Sequence, residues 1–470
     1  MLKIYNTLTK TKQGLPHIPT RKTPLRLFVC GPTVYDEAHI GHARTYAFFD
    51  SFVKYLRIHY NYPVYYVQNI TDIDDKIINR AKEKNIPTTE LSQMYEHRYK
   101  ESMARLSIDS VDAYANATAF IPAIIEQIQI LIQKKYAYEK NGSVYYRVHT
   151  FKPYGTLSGQ STTHLQGAER DANTHRGEKE DPNDFVVWKA SKDDEPQWDS
   201  PFGKGRPGWH IEDTAIAYSL FKSPQYELHG GAQDLIFPHH EAEIALMESA
   251  YDKTPFVHRW MHTGFLNVNG EKMSKSLGNF ITIHDVLDAH SPHTVRTFFA
   301  LRHYRSPMDY TEQALRDARA TSARIQELYE RVQKTEKTEQ TASPQEHSLI
   351  QHIQLFWDAL EDDFNTPKSF SELFTLITHT NTFLDRNHLS EATARQILSF
   401  FQEINNIFTL FSESHDIIPQ EIHDMARKRQ EHKRKKEWEQ ADTIRNAIHD
   451  TGYDIADIDD NEFKIKKRTD

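Results

Sequence analysis

The segment LRLFVCGPTVYDEAHIGH, residues 25–42, begins with a short apolar run that ends in glycine and continues through a loop into a helical pattern. The run at residues 25–31 is typical of a buried strand, and apolar residues recur at helical spacing from about Arg44 to His59. A second β-rich run, VYYVQNI, occupies residues 64–70. Strand, helix and strand in close succession indicate a βαβ unit, so the sequence predicts a parallel, Rossmann-like sheet.

Composition limits the class of protein before any other motif is considered. The chain has 470 residues, of which 38% are hydrophobic and 26% charged, and its mean hydropathy is −0.70. At roughly 150 residues per domain, about three domains are expected. The start MLKIYNTLTKTK lacks the apolar core of a signal peptide, and no stretch approaches the ~20 apolar residues of a membrane span. The single cysteine excludes a disulfide framework, so we expect a cytoplasmic protein without a membrane partner.

Changes of pattern along the chain predict four parts. An α/β part covers residues 1–112 and resumes at residues 207–315. The polar region between them, residues 113–206, is expected to be an insertion between two halves of the sheet. Residues 316–415 have a helical pattern, and residues 416–470 form a small, highly charged unit that ends in a short β-like tail.

The end of the quoted segment is a candidate anion site. Gly41 lets a ligand approach the backbone closely, and His39 and His42 lie on one side of the first helical turn. Free N–H groups and the helix dipole favour an anion there, so the arrangement suits the phosphates of a nucleotide. Two ordinary capping or surface histidines are the alternative, and an isolated H-x-x-H pattern favours that alternative.

A second motif, KMSKS, occupies residues 272–276 between glycine-containing turns. Small, polar and cationic residues in such a loop are typical of a mobile element that grips a triphosphate. A charged surface loop is an equally good interpretation of this motif by itself. The two motifs in this order, about 230 residues apart, are far more specific than either one.

Together the two motifs resemble the H-I-G-H and K-M-S-K-S signatures of class I aminoacyl-tRNA synthetases. Wider blocks resemble the cysteinyl-tRNA synthetase family: FVCGPTVYDEAHIGH, NITDIDDKI, DFVVWK, GRPGWHIE, HGGAQDLIFPHHEAE, KMSKSLGNF and DDFNTP. These blocks run from the first strand to the helical region, so the resemblance covers essentially the whole chain. It implies an α/β Rossmann-like catalytic domain with a parallel sheet and an inserted connective domain. A helical bundle that binds tRNA and a small C-terminal α/β unit that binds the anticodon are expected to follow.

The resemblance implies a ligase that joins L-cysteine to tRNA(Cys) in two steps. The carboxylate of cysteine attacks the α-phosphorus of ATP, which Mg²⁺ accompanies; pyrophosphate leaves, and the cysteinyl-adenylate then acylates the tRNA. No protein nucleophile is needed, because catalysis consists of positioning and electrostatic stabilisation. By motif, the implied catalytic residues are His39, His42, Lys272 and Lys275; ATP is expected at Gly41, Gly230, Gly231, Asp234 and Lys275, and cysteine at Thr71 and Trp209.

The segment IFPHHEAE, residues 236–243, is a candidate metal site. The family binds one Zn²⁺ in the amino-acid pocket, where the substrate thiolate joins it and the hydroxyl of serine is a far poorer ligand. By motif, the implied ligands are Cys30, Asp213, His239 and Glu243. Asp213 stands where the family pattern has cysteine; it preserves the charge but is a harder ligand, so we expect zinc at reduced affinity. A metal-free site, in which His239 and Glu243 form ordinary hydrogen bonds, is the alternative.

Four residues near these motifs have a second interpretation. His240 and Glu241 are either supports of the metal ligands or exposed residues of the following helix. Trp209 also suits a plain core position, and Asp234 also suits a capping position in a tight turn. The sequence leaves these alternatives open.

The C-terminal unit is the expected tRNA contact. Although the net charge of the chain is −9, residues 426–436 contain one acid, Glu431, among many cations. These cations are Arg427, Lys428, Arg429, Lys433, Arg434, Lys435 and Lys436, and the tail adds Lys464, Lys466, Lys467 and Arg468. Phosphate neutralisation is a physical use for such a patch, while a solvated helix face is the alternative.

Two rival functions fit parts of the sequence. One is a ligase on the same scaffold that transfers cysteine to an amine on a sugar; the basic C-terminal unit argues against it. The other is an inactive relative that binds RNA as a regulator; intact His39, Gly41, His42 and Lys275 argue against it, whereas Asp213 supports it. A monomer is expected because the family is usually monomeric.

Overall fold

The computed structural model describes residues 2–160, 179–192, 194–273, 278–334, 346–386, 388–412, 420–435, 437–457 and 463–467. The strands are β1 (Lys3–Asn6), β2 (Thr11–Gly14), β3 (Leu25–Val29), β4 (Val64–Ile70), β5 (Ala113–Asn116), β6 (Ala137–Lys140), β7 (Ser143–Tyr146), β8 (Phe185–Ala190), β9 (Gly205–Pro207), β10 (Tyr226–Ala232), β11 (Val257–Thr263), β12 (Leu266–Val268), β13 (Glu271–Lys272), β14 (Met308–Tyr310), β15 (Tyr453–Asp457) and β16 (Phe463–Lys467). The α-helices are α1 (Ile40–Ile58), α2 (Asp75–Lys84), α3 (Thr88–Arg105), α4 (Ile121–Gln133), α5 (Trp209–Phe221), α6 (Glu241–Tyr251), α7 (Ile283–Ala289), α8 (Pro292–Ala300), α9 (Glu312–Lys334), α10 (His347–Glu361), α11 (Thr366–Asp385), α12 (Glu391–Phe408), α13 (Gln420–Arg434) and α14 (Trp438–Asp450).

A five-stranded parallel sheet forms the centre of the catalytic part, in the order β11-β10-β3-β4-β5. The predicted strand and helix of the βαβ unit are β3 and α1, and the predicted second strand coincides with β4. Leu25, Leu27, Phe28 and Val29 are all buried, as expected for a strand covered on both faces. The predicted Rossmann-like parallel sheet is confirmed. From β3 the chain continues to β4 on one side of the sheet, whereas from β10 it continues to β11 on the other side. In α/β proteins, ligands bind beside the carboxyl ends of two such neighbouring strands.

The inserted part contains an antiparallel sheet in the order β6-β7-β8-β9. Its helix α4 packs against α5 and α6, which carry predicted metal ligands, and these elements share one apolar core. The predicted boundary at residue 113 falls within the catalytic sheet, because β5 (Ala113–Asn116) pairs with β4. The four residues of β5 have no clear strand pattern of their own, because their extended conformation depends on pairing with β4, which is more than 40 residues away in the sequence.

The helical part packs on the catalytic part through the segment DDFNTP, residues 362–367. Asp363 is fully buried; its carboxylate accepts hydrogen bonds from the backbone N–H of Tyr5, from the Tyr304 hydroxyl and from Arg305. Asp363 and Phe364 both adopt positive φ, at 65° and 48°. This segment is therefore a buried joint between the N-terminal hairpin, the catalytic part and α11.

The C-terminal unit has a separate small core of isoleucines and one alanine: Ile422, Ala426, Ile448, Ile455 and Ile465. Helices α13 and α14 pack together, and β15 pairs antiparallel with β16. Arg429 is buried in this unit, so it does not contribute to the exposed cationic surface that the sequence suggests.

In the part of the chain described above, none of the helices has the length and apolar content needed to cross a bilayer. The observation agrees with the absence of a long apolar run in the sequence.

Candidate active site

The first turn of α1 presents His39 and His42 side by side. His39 is the N-cap, and its Nδ1 accepts a hydrogen bond from the Gly41 backbone N–H at 3.2 Å. The Nδ1 of His42 accepts from the His39 backbone N–H at 3.3 Å, and the two rings stack with centroids 3.8 Å apart. Since both Nδ1 atoms accept, each ring carries its proton on Nε2. Two imidazole N–H groups therefore lie at the positive end of the helix dipole.

Burial lowers the pKa of His42 well below its ordinary value, and the neighbouring His39 and Lys76 lower it further. A neutral imidazole still donates one hydrogen bond from Nε2. The site therefore offers directed donors to an anion rather than a fixed positive charge on His42.

The segment that follows the KMSKS motif lies against the first turn of α1. The Ile40 N–H donates to the Ile281 carbonyl at 3.1 Å, and the Phe280 ring meets the His39 ring edge-on at 5.4 Å. Lys272 lies at the end of β13, with its ammonium 5.7 Å from the Phe265 ring centroid. Lys275, the predicted ligand of the β- and γ-phosphates, lies outside the described residues.

The carboxyl end of β3, the helices α5 and α6 and the short turn Ile236–His240 before α6 bring the four predicted metal ligands together. Cys30, Asp213, His239 and Glu243 each offer one ligand atom, and these atoms lie within 4.8 Å of one another. His239 Nε2 is 3.1 Å from Asp213 Oδ2 and 3.0 Å from Glu243 Oε1. All four side chains are buried. Residues more than 200 positions apart therefore form one compact cluster.

Two further histidines contact Cys30 and form a second, overlapping group of four. His229 Nε2 lies 3.3 Å and His240 Nε2 lies 3.1 Å from Cys30 Sγ. With Cys30 and Glu243 they satisfy the same 4.8 Å criterion. His240 is thus a direct neighbour of the cluster and not an exposed residue of α6.

A surrounding set of polar groups orients the imidazoles. His210 Nδ1 is 2.9 Å from His239 Nδ1, and His262 Nε2 is 2.8 Å from His240 Nδ1. The neighbouring acid Glu241 is also buried, but it points to the inserted part, where it accepts from the Ser158 N–H at 2.8 Å. Glu241 therefore ties α6 to the insertion and is not part of the cluster.

The pKa values of Cys30, His239 and Glu243 are all raised, so these groups retain protons that offset the negative charge of the cluster. Burial raises the pKa of the Cys30 thiol well above its usual range, and nearby Asp213 and Glu243 raise it further. Burial also raises the pKa of Glu243 to about 7, although His239 opposes the shift. Burial alone lowers the pKa of His239, but Glu243 and Asp213 outweigh it and raise the value to about 9. A divalent cation can replace these protons.

Two buried oxygens of the cluster make no hydrogen bond with the described residues: Asp213 Oδ1, and Glu243 Oε2, which lies 3.4 Å from His229 Nε2. Leaving a buried carboxylate oxygen without a partner costs about 1–3 kcal/mol or more. One thiol, one imidazole and two carboxylates are also a suitable ligand set for zinc. The cluster therefore fits a metal ion on its geometry, its charge and its unpaired oxygens.

Thr71 and Trp209 both lie next to the metal cluster. The Trp209 ring stacks on the His239 ring with centroids 4.2 Å apart. The Thr71 hydroxyl donates to Glu212 at 2.9 Å, and Glu212 immediately precedes Asp213. Trp209 is half-buried, so it is not a plain core residue. Trp209 therefore contacts a candidate metal ligand directly, whereas Thr71 is linked to the cluster through Glu212, and contact of either side chain with cysteine stays a prediction.

The glycines predicted to contact ATP have close protein neighbours. A Cβ on Gly230 would lie 2.1 Å from the Phe49 ring of α1, and one on Gly231 would lie 2.9 Å from Leu235. Packing against the Phe49 ring thus favours glycine at position 230, the Leu235 side chain could shift at position 231, and contact of either glycine with ATP stays a prediction. Asp234 is exposed at the turn after β10, where a ribose hydroxyl can reach it.

The family motifs indicate the four metal ligands, but they do not indicate that His210, His229 and His262 surround the cluster. His229 precedes Gly230 and Gly231 at the carboxyl end of β10, and His262 occupies the corresponding end of β11. Because ligands bind at the carboxyl ends of parallel strands, the positions of His229 and His262 in the sequence could have indicated that these two residues lie near the site.

The chain is similar to known proteins over most of its length. The chain matches the family of class I (C) tRNA synthetase catalytic domains over residues 17–320 and the DALR domain over residues 355–412. It is 41% identical to a cysteine–tRNA ligase of Thermococcus onnurineus over 421 residues, which cover 88% of this chain and 87% of the relative. A cysteine–tRNA ligase of Methanococcus maripaludis is 40% identical over 470 residues, 97% of each chain. One of Bacillus licheniformis is 38% identical over 452 residues, 95% of each chain.

Solved structures show the same fold at much lower identity. Mycobacterium tuberculosis methionyl-tRNA synthetase in complex with methionyl-adenylate aligns with a TM-score of 0.61 and 16% identity, covering 82% of this chain and 89% of that chain. The ternary complex of Agrobacterium radiobacter LeuRS with tRNA and LeuAMS aligns with a TM-score of 0.60 and 10% identity, covering 82% and 84%. At such identities the likeness is evidence for the fold alone.

Proposed function

The chain belongs to the cysteine–tRNA ligase family of class I aminoacyl-tRNA synthetases, and we propose that it forms cysteinyl-adenylate from L-cysteine and ATP and transfers the cysteine to tRNA(Cys). The observation that carries this proposal is the meeting of Cys30, Asp213, His239 and Glu243 in a buried cluster within the crevice beside α1. In this proposal, cysteine bound at the cluster and ATP bound at the first turn of α1 are held in position for the carboxylate attack on the α-phosphorus.

Zinc is the proposed cofactor, one per chain, held by Cys30, Asp213, His239 and Glu243. The unpaired oxygens of Asp213 and Glu243 and the high pKa of the Cys30 thiol support a cation at this place. When bound, zinc supplies a Lewis acid that prefers the thiolate of cysteine to the hydroxyl of serine. Trp209 and Thr71 would close the pocket around a side chain of this size.

His39 and His42 would donate hydrogen bonds from Nε2 to phosphate oxygens during adenylate formation. Their Nδ1 atoms are occupied by backbone N–H groups, so both rings are held in orientation before ATP arrives. Donors that need no reorganisation are most effective when charge develops on the phosphate. Lys272 and Lys275 would neutralise the β- and γ-phosphates, together with the Mg²⁺ that accompanies ATP.

The C-terminal unit would bind the tRNA stem and anticodon. Arg434 and Lys435 are exposed at the end of α13, and Trp438 is 58% exposed at the start of α14. An exposed indole beside cationic side chains suits base stacking combined with phosphate neutralisation. The tail cations Lys464, Lys466 and Lys467 have no described side chain, and Arg468 lies outside the described residues.

We place the reaction in the cytoplasm, where tRNA and ATP are available and a lone cysteine stays reduced, and we propose that the chain acts as a monomer.

Cysteine-dependent exchange between ATP and pyrophosphate tests this function, with serine as a competing substrate and tRNA charging as the second readout. We expect exchange with cysteine, little exchange with serine, and transfer to tRNA(Cys). Exchange without transfer to tRNA would instead favour the ligase that acylates an amine on a sugar. The absence of exchange from a folded, zinc-loaded protein would favour an RNA-binding protein without activity.

A further inference from the structure

Arg44 lies one turn into α1, two residues after His42, and its side chain is buried. Its guanidinium donates to backbone carbonyl oxygens in two different segments. Nη1 donates to Gly264, at 2.6 Å, and to Phe265; Nη2 donates to Tyr304, at 3.2 Å, and to Ser306. One side chain of α1 thus holds two segments that are about 40 residues apart.

These two segments lead into two paired strands, β12 and β14. The first of them, β12, begins the hairpin that precedes the KMSKS motif. Gly264 and Phe265 precede β12, and Ser306 precedes β14, which pairs with β12 in parallel. The hairpin from β12 to β13 then ends at Lys272, where the loop begins. Gly264 also packs so closely that an added Cβ would lie 2.6 Å from the Ser306 carbonyl oxygen. Arg44 therefore anchors the base of the hairpin that delivers the loop.

The other end of the KMSKS loop is attached to the same part of α1. The Ile283 N–H donates to the Ala38 carbonyl at 2.9 Å, and Ile40 donates to Ile281. The two ends of the loop also meet, because the Asn279 side chain donates to the Lys272 carbonyl at 3.3 Å. The described residues on both sides of positions 274–277 are therefore held by residues 38–44.

We propose that Arg44 is a positioning residue, which sets where the β12–β13 hairpin and its last residue, Lys272, lie relative to His39 and His42. This inference rests on the proposed function, because it assigns a role in adenylate formation. In the proposed reaction, the motifs at residues 39–42 and 272–276 bind one triphosphate from two sides. Residues outside these motifs must therefore fix the distance between them. The four hydrogen bonds from Arg44 to backbone carbonyl oxygens supply that link at the beginning of the hairpin.

The geometry of the guanidinium explains why arginine occupies this position. Its five N–H groups lie in a rigid plane and can serve four acceptors in two segments at once. A lysine ammonium at the same place has three donors at a single point, so it cannot hold both segments in the same arrangement. Phe265, held through its carbonyl, in turn lies beneath Lys272.

The test compares Arg44→Lys with Arg296→Lys. Arg296 is equally buried and lines the same small cavity, but it pairs with Asp50 at 2.7 Å and donates to the Phe408 carbonyl of α12. Both substitutions keep a buried charge and remove hydrogen bonds, so both should lower the midpoint of thermal unfolding. The measured quantities are the single-turnover rate of adenylate formation per active site, KM for ATP, and the affinity for cysteine.

For Arg44→Lys we expect a rate per active site reduced by about 10²-fold and a raised KM for ATP, with the affinity for cysteine and the zinc content unchanged. For Arg296→Lys we expect loss of stability with wild-type kinetics per active site. A merely structural role of Arg44 would lower the fraction of active sites but leave the rate per site intact, and that result would overturn the inference.

Chemical rescue provides a second readout. In Arg44→Ala, added guanidinium at a concentration that does not denature the protein should restore part of the adenylate rate, whereas ammonium should not. Equal rescue by both cations, or rescue by neither in a folded variant, would contradict the positioning role. If the wild-type chain itself failed to activate cysteine, the proposed function would fail instead, so the two failures are distinguishable.

Discussion

At the scale of a residue, Asp213 determines how the metal cluster of this chain differs from the family pattern. Its Oδ2 contacts His239, while Oδ1 is buried and has no hydrogen-bond partner among the described residues. A carboxylate matches a thiolate in charge, but it is a harder ligand for zinc. We therefore propose that aspartate at this position keeps the site anionic but makes the ligand set less selective for a soft metal.

Replacing Asp213 by cysteine should increase the affinity for zinc. We expect a change at least comparable to the ~10–100-fold that mutations around a metal site produce, measured by competition with a chelator. Asp213→Asn is the matched control, because it keeps the shape but loses the charge and should weaken zinc binding.

An affinity that responds to neither variant would contradict Asp213 as a ligand. It would instead assign the ion to the second group, which shares Cys30 and Glu243 but uses His229 and His240. In that case His229→Gln should weaken zinc binding while Asp213→Asn does not.

At the scale of an element, the first turn of α1 combines helix capping with the proposed phosphate contact. His39 caps the helix through Nδ1, and His42 completes a reciprocal pair of hydrogen bonds with it. The same two bonds fix which nitrogen of each ring is a donor. Capping and catalysis thus depend on opposite sides of one imidazole and can be separated by mutation.

His39→Asn should separate these two roles. Asparagine is a good N-cap residue, so α1 should keep its stability, whereas His39→Ala should cost about 1 kcal/mol of unfolding free energy. Both variants lack the Nε2 donor and should slow adenylate formation by about 10²–10³-fold. The checks are urea unfolding and the single-turnover rate. An active His39→Asn would show that Nε2 makes no important contact.

At the scale of the whole molecule, the segment 362–367 is one of the contacts that join the helical part to the catalytic part, together with those of α1 and Arg296 with α12. The buried joint at residues 362–367 holds the helical part, and the separate C-terminal unit extends beyond it with its own small core. These contacts determine how the catalytic part and the proposed tRNA-binding part are arranged, while the C-terminal unit supplies exposed charge.

Asp363→Asn should weaken the joint. Asparagine tolerates positive φ, so the substitution changes the charge rather than the backbone preference. Loss of the charge-assisted bonds to Arg305 and Tyr304 should cost about 2–3 kcal/mol. Arg305 is partly exposed and can be solvated, which limits the cost. Urea unfolding gives this difference, and an unchanged midpoint would contradict the role of the joint. Exchange of pyrophosphate should change less than charging of tRNA.

Charge reversal at Arg434 and Lys435 should weaken tRNA binding and reduce its dependence on salt. The logarithmic slope should fall by about 0.7–0.9 for each phosphate that the protein no longer neutralises. Trp438→Ala should weaken binding by about 1–3 kcal/mol if one base stacks on the indole. Lys253→Glu, at an exposed position in the catalytic part, is the control for net charge. Equal effects of all these changes would contradict a tRNA contact in the C-terminal unit.

The sequence by itself determined the class of fold and the family. Strand and helix patterns depend on neighbouring residues, so the βαβ unit of β3, α1 and β4 could be predicted from spacing alone. The family motifs likewise identified Cys30, Asp213, His239 and Glu243 as a set, although spacing says nothing about their distances. The boundary at residue 113 was misplaced because the short strand β5 owes its conformation to β4.

Only the tertiary structure decided which side chains meet. The order of strands in the sheet places the ends of β3 and β10 side by side, and that order is not encoded in any local pattern. It brings His229 and His240 to Cys30 and creates a second group of ligands that the motifs did not suggest. It also places Arg44 against the turns at Gly264 and Ser306, some 220 and 260 residues away. Contacts of such long range arise because apolar elements pack in one particular arrangement, and the polar side chains are carried along with them.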